Sequence, residues 1–310
     1  AGKIRHVGFS THGMPATITR AIETGKYAYF NVHYDFIGSY TASGSGPTGG
    51  TLECLEAAAA RDMGVFIISP ADKGGMLYKP SAMFAQCCEP DGLSPIAFNN
   101  LWLYHHSPPA HTLVVGAARP TDFDLALEAA LMAFTPEATA KVEATAARLK
   151  AAAVQAHGEQ WAKNWFVGLP DCYTAGETGV HASLIVWLHY LVKAWGLLDY
   201  AKARYKELEG NAKGWKEGRT FAENTADWGF CPGSTLRQGV DLAPHLAQCP
   251  DPARALEAIR EAHAWVNSVD GSVGEQPGSP LAEACRPAYD LQPDVPYPER
   301  KDVNDPHTRG

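Results

Sequence analysis

Short apolar runs and longer amphipathic segments alternate along the first 134 residues. The runs are rich in β-branched and aromatic side chains and are bounded by glycine or proline, which is typical of buried strands. We predict strands over 4–9, 27–32, 64–69 and 111–115. Segments with helical periodicity alternate with them, over 15–24, 51–62, 95–105 and 121–134. This alternation predicts parallel βαβ units, in a sheet covered on both faces or closed into a barrel.

The loops that follow the predicted strands are rich in glycine, serine and threonine. In chain order they are STHG, HYDFIGSYTASGSGPTGG, PADKGGMLYKPS and GAARPTD. Parallel α/β proteins bind their ligands at the carboxyl ends of the strands. These loops are therefore the candidate binding site.

Beyond residue 135 the pattern changes to long helical segments, and the end of the chain is rich in proline without sustained periodicity. We predict three parts: an α/β part over 1–134, a helical part over 135–268 and an extended tail over 269–310. The tail either drapes over the helical part, where it could also meet a protein partner, or is solvated.

Charge and cysteine content limit the class of protein. A net charge of −8 leaves no basic field for a phosphate backbone, so we expect no nucleic-acid partner. No apolar run is long enough to span a bilayer, and residues 1–20 do not have the pattern of a signal peptide. Seven scattered cysteines, an odd number, are expected to be reduced thiols. These features predict a cytoplasmic protein, with an organelle as the alternative.

Four segments together carry a family resemblance. IRHVGFSTHG, FNVHY, GVFIISPADKGGML and TLVVGAARPTDFDLALEAAL resemble, in order and spacing, the fifth to eighth strands of the aldo/keto reductase barrel. The resemblance covers residues 1–134 and implies the C-terminal half of a (β/α)8 TIM barrel. It also implies NADP bound in an extended form without a Gly-rich fingerprint, and hydride transfer to a small carbonyl substrate.

The resemblance implies a cofactor site at the strand ends. Ser10 and Thr11 match the small polar residues that bond the nicotinamide carboxamide, and Asn31 matches the amide residue that shares this contact. Such bonds orient the ring for hydride transfer. Ser69 and Pro70 match the cofactor-facing end of the seventh strand.

The same resemblance places the adenosine phosphate after the last predicted strand. Gly116, Ala117 and Arg119 match the turn into a helix N-terminus that holds this phosphate, where free N–H groups and a guanidinium suit an anion. A solvated surface charge is the alternative reading of Arg119.

The chain has no match for the family's catalytic tetrad, which comes from strands two to four. Half a barrel would expose two strand edges and a large apolar surface, so we expect this chain to be a C-terminal portion of a longer protein. We assign no catalytic residue. The histidines and tyrosines near the predicted site are more often structural or substrate-lining than proton donors: His12, His33, His105, His106, Tyr34 and Tyr40.

The helical part resembles the extension of the ferredoxin-like aldo/keto reductases, through DYAKARYKELEGNAKGW and WGFCPG. In that group cysteine clusters bind iron–sulfur centres. Only Cys172 and Cys231 match here, and one thiolate per site cannot hold a cluster, so we expect none. We predict that the extension keeps its packing, with a core that includes Trp161, Trp165, Trp187, Trp195, Trp215 and Trp228.

Three functions remain open. The chain could belong to an active NADP-dependent aldo/keto reductase, to an inactive structural or interaction subunit of a larger assembly, or to an NADP-binding sensor. The tetrad would separate the enzyme from the other two, and NADP binding would separate the sensor from the structural subunit.

Overall fold

Four parallel strands form one sheet in the order in which they occur along the chain. The computed structural model describes residues 2–38, 50–106, 108, 110–117, 119–228, 231–268 and 278–293. The strands are β1 (Gly8–Ser10), β2 (Tyr29–Val32), β3 (Gly64–Ile68) and β4 (Thr112–Val114), and each pairs in parallel with the next. This confirms the predicted set of four parallel strands. Tyr40, a candidate from the sequence, lies outside the described residues.

The first strand is shorter than predicted and begins at Gly8. Ile4 and Val7, which the pattern placed in the strand, precede it and are 73% and 47% exposed. β1 is an edge strand of the described sheet and has a single neighbour to hold it. Pairing with β2 therefore holds only the last part of the apolar run over residues 4–9 in the sheet.

Six α-helices lie in the described residues of the α/β part, and two of them, α3 and α4, were not predicted. The first lies in a segment predicted as loop, and the second begins directly after it. The Ser81 hydroxyl caps α4 by accepting a hydrogen bond from the Phe84 N–H, and Ser94 caps α5 in the same way at Ala97. The helices are α1 (Pro15–Glu23), α2 (Thr51–Ala59), α3 (Pro70–Lys73), α4 (Ala82–Cys88), α5 (Pro95–His105) and α6 (Asp124–Met132).

The helices cover one face of the sheet. Because consecutive strands are neighbours and such crossovers are right-handed, the connecting helices fall on the same side. Phe30, Val32, Val65 and Ile67 are buried on that side with residues of α1, α2 and α5. Along β2 and β3, buried and half-buried residues alternate.

The opposite face is only partly covered, and we call it the open face. It carries a stacked aromatic pair, Tyr29 and Phe66, whose ring centroids are 5.0 Å apart. Gly8 makes room for this pair, because a Cβ there would lie within 2.5 Å of the Tyr29 ring. Parallel sheets are ordinarily covered on both faces, so the described residues leave this sheet incompletely packed. The open face consists of Ser10, Tyr29, Asn31, Phe66, Ile68, Thr112 and Val114.

In the rest of the described chain, helices joined by irregular segments surround one central helix. This helix is α9, in which every residue except Lys193 is buried. It packs against α7, α10 and α12. The helices are α7 (Pro136–His157), α8 (Glu159–Asn164), α9 (Ala182–Trp195), α10 (Leu198–Gly214), α11 (Phe221–Thr225), α12 (Pro252–Val266) and α13 (Pro280–Cys285).

The larger hydrophobic core crosses residue 134. Phe84 and Phe98, from α4 and α5, belong to the same core as Trp187 and Trp195 of α9. Trp161 and Trp165 are also buried there. Trp215 and Trp228 are half-buried in a separate aromatic cluster with Phe221.

Candidate functional site

The ends of β1 and β2 bring two predicted residues together. The strand register pairs Ser10 with Asn31, so both belong to the open face. The Oδ1 atom of Asn31 is buried and accepts no hydrogen bond from any described residue. A buried acceptor without a partner costs free energy and calls for an explanation. It marks this position as one where a donor from a ligand would be stabilised.

Two histidines lie beyond this pair: His12 is two residues after Ser10, and His33 is two residues after Asn31. The rings of His12 and His33 stack with centroids 5.0 Å apart. His33 Nδ1 lies 3.0 Å from the Ile68 carbonyl oxygen, and because a carbonyl can only accept, Nδ1 carries the proton. Burial, together with the nearby Lys73 charge, lowers the pKa of His33 to about 3. His33 is therefore a neutral imidazole at physiological pH.

A buried lysine lies near these histidines and a buried carboxyl group lies near that lysine; the sequence did not single out either. Lys73 lies on α3, which starts after Ser69, a residue with left-handed backbone angles (φ 54°, ψ 48°). Asp35 is buried and accepts a hydrogen bond from the Asn99 side-chain amide at 3.1 Å. Burial raises the pKa of Asp35 well above its usual range, which favours the uncharged form.

The helical part contributes an arginine to the same region. Arg204 of α10 is 1% exposed, and its guanidinium lies 3.9 Å from Asp72 of α3 and 3.3 Å from Glu207. Its charge contributes to the lowered pKa of His33. Arg204 lies in the ARY segment that the sequence identified as a scaffold. No local sequence pattern predicts that Arg204 lies near the strand ends, because those residues precede it by more than 130 positions along the chain.

Thr11 makes a contact within its own loop, whereas Ser69 and Pro70 make contacts with β4 and α5. The Thr11 hydroxyl accepts a hydrogen bond from the Gly13 N–H at 2.8 Å and so caps its own turn. The Ser69 N–H donates to the Val114 carbonyl oxygen at 3.1 Å, and the buried Pro70 offers its carbonyl to Asn99. These contacts shape the loops beside the Ser10–Asn31 pair.

At the other end of the predicted site, Arg119 already has partners. Its guanidinium lies 3.2 Å from Asp122, and its backbone N–H donates to the same carboxylate at 2.9 Å. The Nη2 atom also donates to the Leu291 carbonyl oxygen at 2.9 Å. The carbonyl of Gly116 accepts a bond from the Tyr78 hydroxyl, while Ala117 is exposed.

A cavity of about 830 Å³ lies elsewhere, between α9 and the start of α12. None of the predicted site residues lines it. Its lining residues are Lys193, Asp251, Ala253, Arg254, Glu257 and Arg260.

Comparisons with known proteins returned no match to a family model, a curated protein or a solved structure. Over the part of the chain that the structure describes, no three His, Cys, Asp or Glu side chains are grouped so as to hold a metal ion. No described helix has both the length and the apolar character needed to cross a membrane.

Proposed function

We propose that this chain is the cofactor-binding half of an NADP-dependent aldo/keto reductase, which reduces a small carbonyl compound. The observation that carries the proposal is the Ser10–Asn31 pair at the carboxyl ends of parallel strands, with its unsatisfied Asn31 Oδ1. A carboxamide offers what this pair needs: an NH2 group for Asn31 Oδ1 and a carbonyl for the Ser10 hydroxyl.

The open face supports the barrel part of the proposal. Eight parallel strands close into a barrel whose interior is filled by side chains, and four strands in sequential order with helices on one face make up half of it. A closed barrel would cover Tyr29 and Phe66 and would pair the outer edges of β1 and β4. The other half would also supply the catalytic tetrad.

We assign α7 to α12 to a ferredoxin-like extension that has no iron–sulfur cluster. Cys172 and Cys231 are both buried, and burial raises the pKa of both thiols. Each of the two matching positions has a single cysteine, which is too few thiolates to hold a cluster. Instead, the side-chain amide of Asn211 holds the second cysteine loop by donating to the carbonyls of Cys231 and Gly233.

In this proposal NADPH supplies the hydride, and this chain holds the cofactor in position. Ser10 and Asn31 would hold the carboxamide and so orient the nicotinamide ring of a bound cofactor. His33, neutral and bonded to the Ile68 carbonyl, borders the same strand ends without adding charge.

Fluorescence titration with NADPH tests the proposal. Asn31→Leu should weaken NADPH binding about tenfold, because it removes the acceptor for the carboxamide. Asn100→Leu is the matched control, since Asn100 Oδ1 is also buried and unpaired among the described residues but lies on α5. Equal affinities in the wild type and Asn31→Leu would contradict the site, and no binding by the wild type would contradict the function.

An inactive structural or interaction subunit is the second candidate. The contacts of Arg119 favour it, because a guanidinium already bonded to Asp122 and to the Leu291 carbonyl is less available to a phosphate. Failure of the full-length protein to bind NADPH would favour the structural or interaction subunit over the reductase.

A further inference from the structure

The segment that follows α13 runs along the loop between α3 and α4. We call residues 286–291 the C-terminal strap. An antiparallel bridge joins Ser81 to Pro287, which sets the direction of the strap against the loop. Three backbone hydrogen bonds extend this contact: Ala82 N–H to the Arg286 carbonyl at 2.7 Å, Ala288 N–H to the Pro80 carbonyl at 2.9 Å, and Leu291 N–H to the Tyr78 carbonyl at 2.9 Å.

Leu291 links this loop to the turn after β4. Its N–H donates to the Tyr78 carbonyl, while its carbonyl oxygen accepts from Arg119 Nη2 at 2.9 Å. The Tyr78 hydroxyl reaches the same turn by donating to the Gly116 carbonyl at 3.2 Å. The end of the strap therefore lies directly against the residues proposed to hold the adenosine phosphate.

A phosphate oxygen and the Leu291 carbonyl compete for the same donor. Both are acceptors, and a guanidinium binds phosphate through its N–H groups. Asp122 further weakens the attraction of Arg119 for a phosphate, because its carboxylate already neutralises the Arg119 charge. A phosphate can therefore bind Arg119 through both Nη atoms only after the Leu291 carbonyl has left Nη2.

We propose that the C-terminal strap is an autoinhibitory cover that must release Nη2 of Arg119 before the guanidinium can bind the dinucleotide phosphate through both Nη atoms. This inference rests on the proposed function. The cover is suited to release, because its last part is joined to the loop by single backbone bonds, and Tyr289 and Leu291 are each 37% exposed. Segments with few buried contacts open at small free-energy cost.

Shortened chains test the cover. A chain that ends at residue 289 lacks Leu291, whereas a control chain that ends at residue 293 keeps the whole strap. Calorimetric titration with adenosine 2′,5′-bisphosphate should show about fivefold tighter binding to the first chain than to the full chain, and unchanged binding to the second. Arg119→Ala should abolish the gain. Leu291→Pro in the full chain, which removes the N–H donated to Tyr78, should reproduce it if the shorter chain does not fold.

The outcomes separate this inference from the function on which it rests. Equal bisphosphate affinity in all chains, with NADPH still bound, would overturn the cover and leave the cofactor site standing. Absence of both bisphosphate and NADPH binding in every chain would overturn the cover together with the proposed function.

Discussion

Large apolar side chains on helices are buried in the helical region but exposed at the end of the α/β part. In α9 every residue but Lys193 is buried, and Trp195 donates its indole N–H to the Leu149 carbonyl at 2.9 Å. On the sheet side, a row of large apolar residues with helical spacing ends the α/β part and is between 53% and 92% exposed. The row consists of Phe123, Leu127, Leu131 and Phe134.

The buried polar groups do not divide in this way. Trp187 and Trp195 of the helical core both donate to backbone carbonyls. On the open face, Asn31 Oδ1 is buried without a partner among the described residues. The helical region has such atoms too, since Trp161 Nε1 and His189 Nδ1 are buried without a partner among the described residues. The two regions differ instead in their uncovered apolar surface, which lies on the sheet side, and binding should therefore be sought there.

The largest expected difference is between two leucines of the two regions. Leu188→Ala in α9 should lower the free energy of unfolding by about 3 kcal/mol, because it leaves a cavity in a fully buried site. Leu131→Ala, at a side chain that is 68% exposed, should change it by less than about 0.5 kcal/mol. Urea denaturation measures both. Equal losses would show that the exposed row is packed in solution, and would remove the contrast.

The next effect concerns the Arg119 end of the site. Asp122→Ala should lower the free energy of unfolding by about 2 kcal/mol, because Asp122 is nearly buried and accepts bonds from the Arg119 backbone and guanidinium. Glu283→Ala is the control. It removes an exposed pair with Arg286 and should cost less than about 0.5 kcal/mol. A loss no larger than the control would show that Arg119 is not held by Asp122.

The third effect is the contribution of His33, at the strand ends, to the pH dependence of the free energy of unfolding. His33 has a pKa of about 3 when folded and an ordinary value of 6.5, so the unfolded chain binds more protons below pH 6.5 and stability falls as the pH decreases. Between pH 7 and pH 5.5 this residue should account for a loss of about 1 kcal/mol. His33→Phe should remove that share of the pH dependence in urea titrations at the two pH values. An unchanged pH dependence would mean that the pKa of His33 is the same in the folded and unfolded chains.

The smallest expected effect has the opposite sign. Asn31→Leu should leave the free energy of unfolding unchanged or raise it by less than about 1 kcal/mol, because the lost acceptor has no partner among the described residues. Thermal denaturation of the variant and the wild type without NADPH measures this. A clear loss of stability would mean that Asn31 serves the fold rather than a ligand.

The local pattern predicted most elements well. The bounds of α5 agree with the prediction, since Ser94 and Pro95 start the helix with a cap and a proline at its first position. Helices α3 and α4 were missed because they are only four and seven residues long and lie in a segment rich in glycine and proline. The strand ends were predicted as the ligand-binding edge, but the residues that fill them were predicted only in part.

The sequence by itself determined the alternation of strands and helices, the parallel sheet and the change to helix after residue 134, because each depends on side-chain periodicity over a few residues. Only the tertiary structure decided which polar groups are satisfied. Arg119 meets the Leu291 carbonyl, and Lys73 and Arg204 reach the same strand ends, through folding that joins distant segments. Periodicity reports which face of an element is apolar. It carries no record of the partner on the other side, and that partner determines whether a polar atom is free to bind.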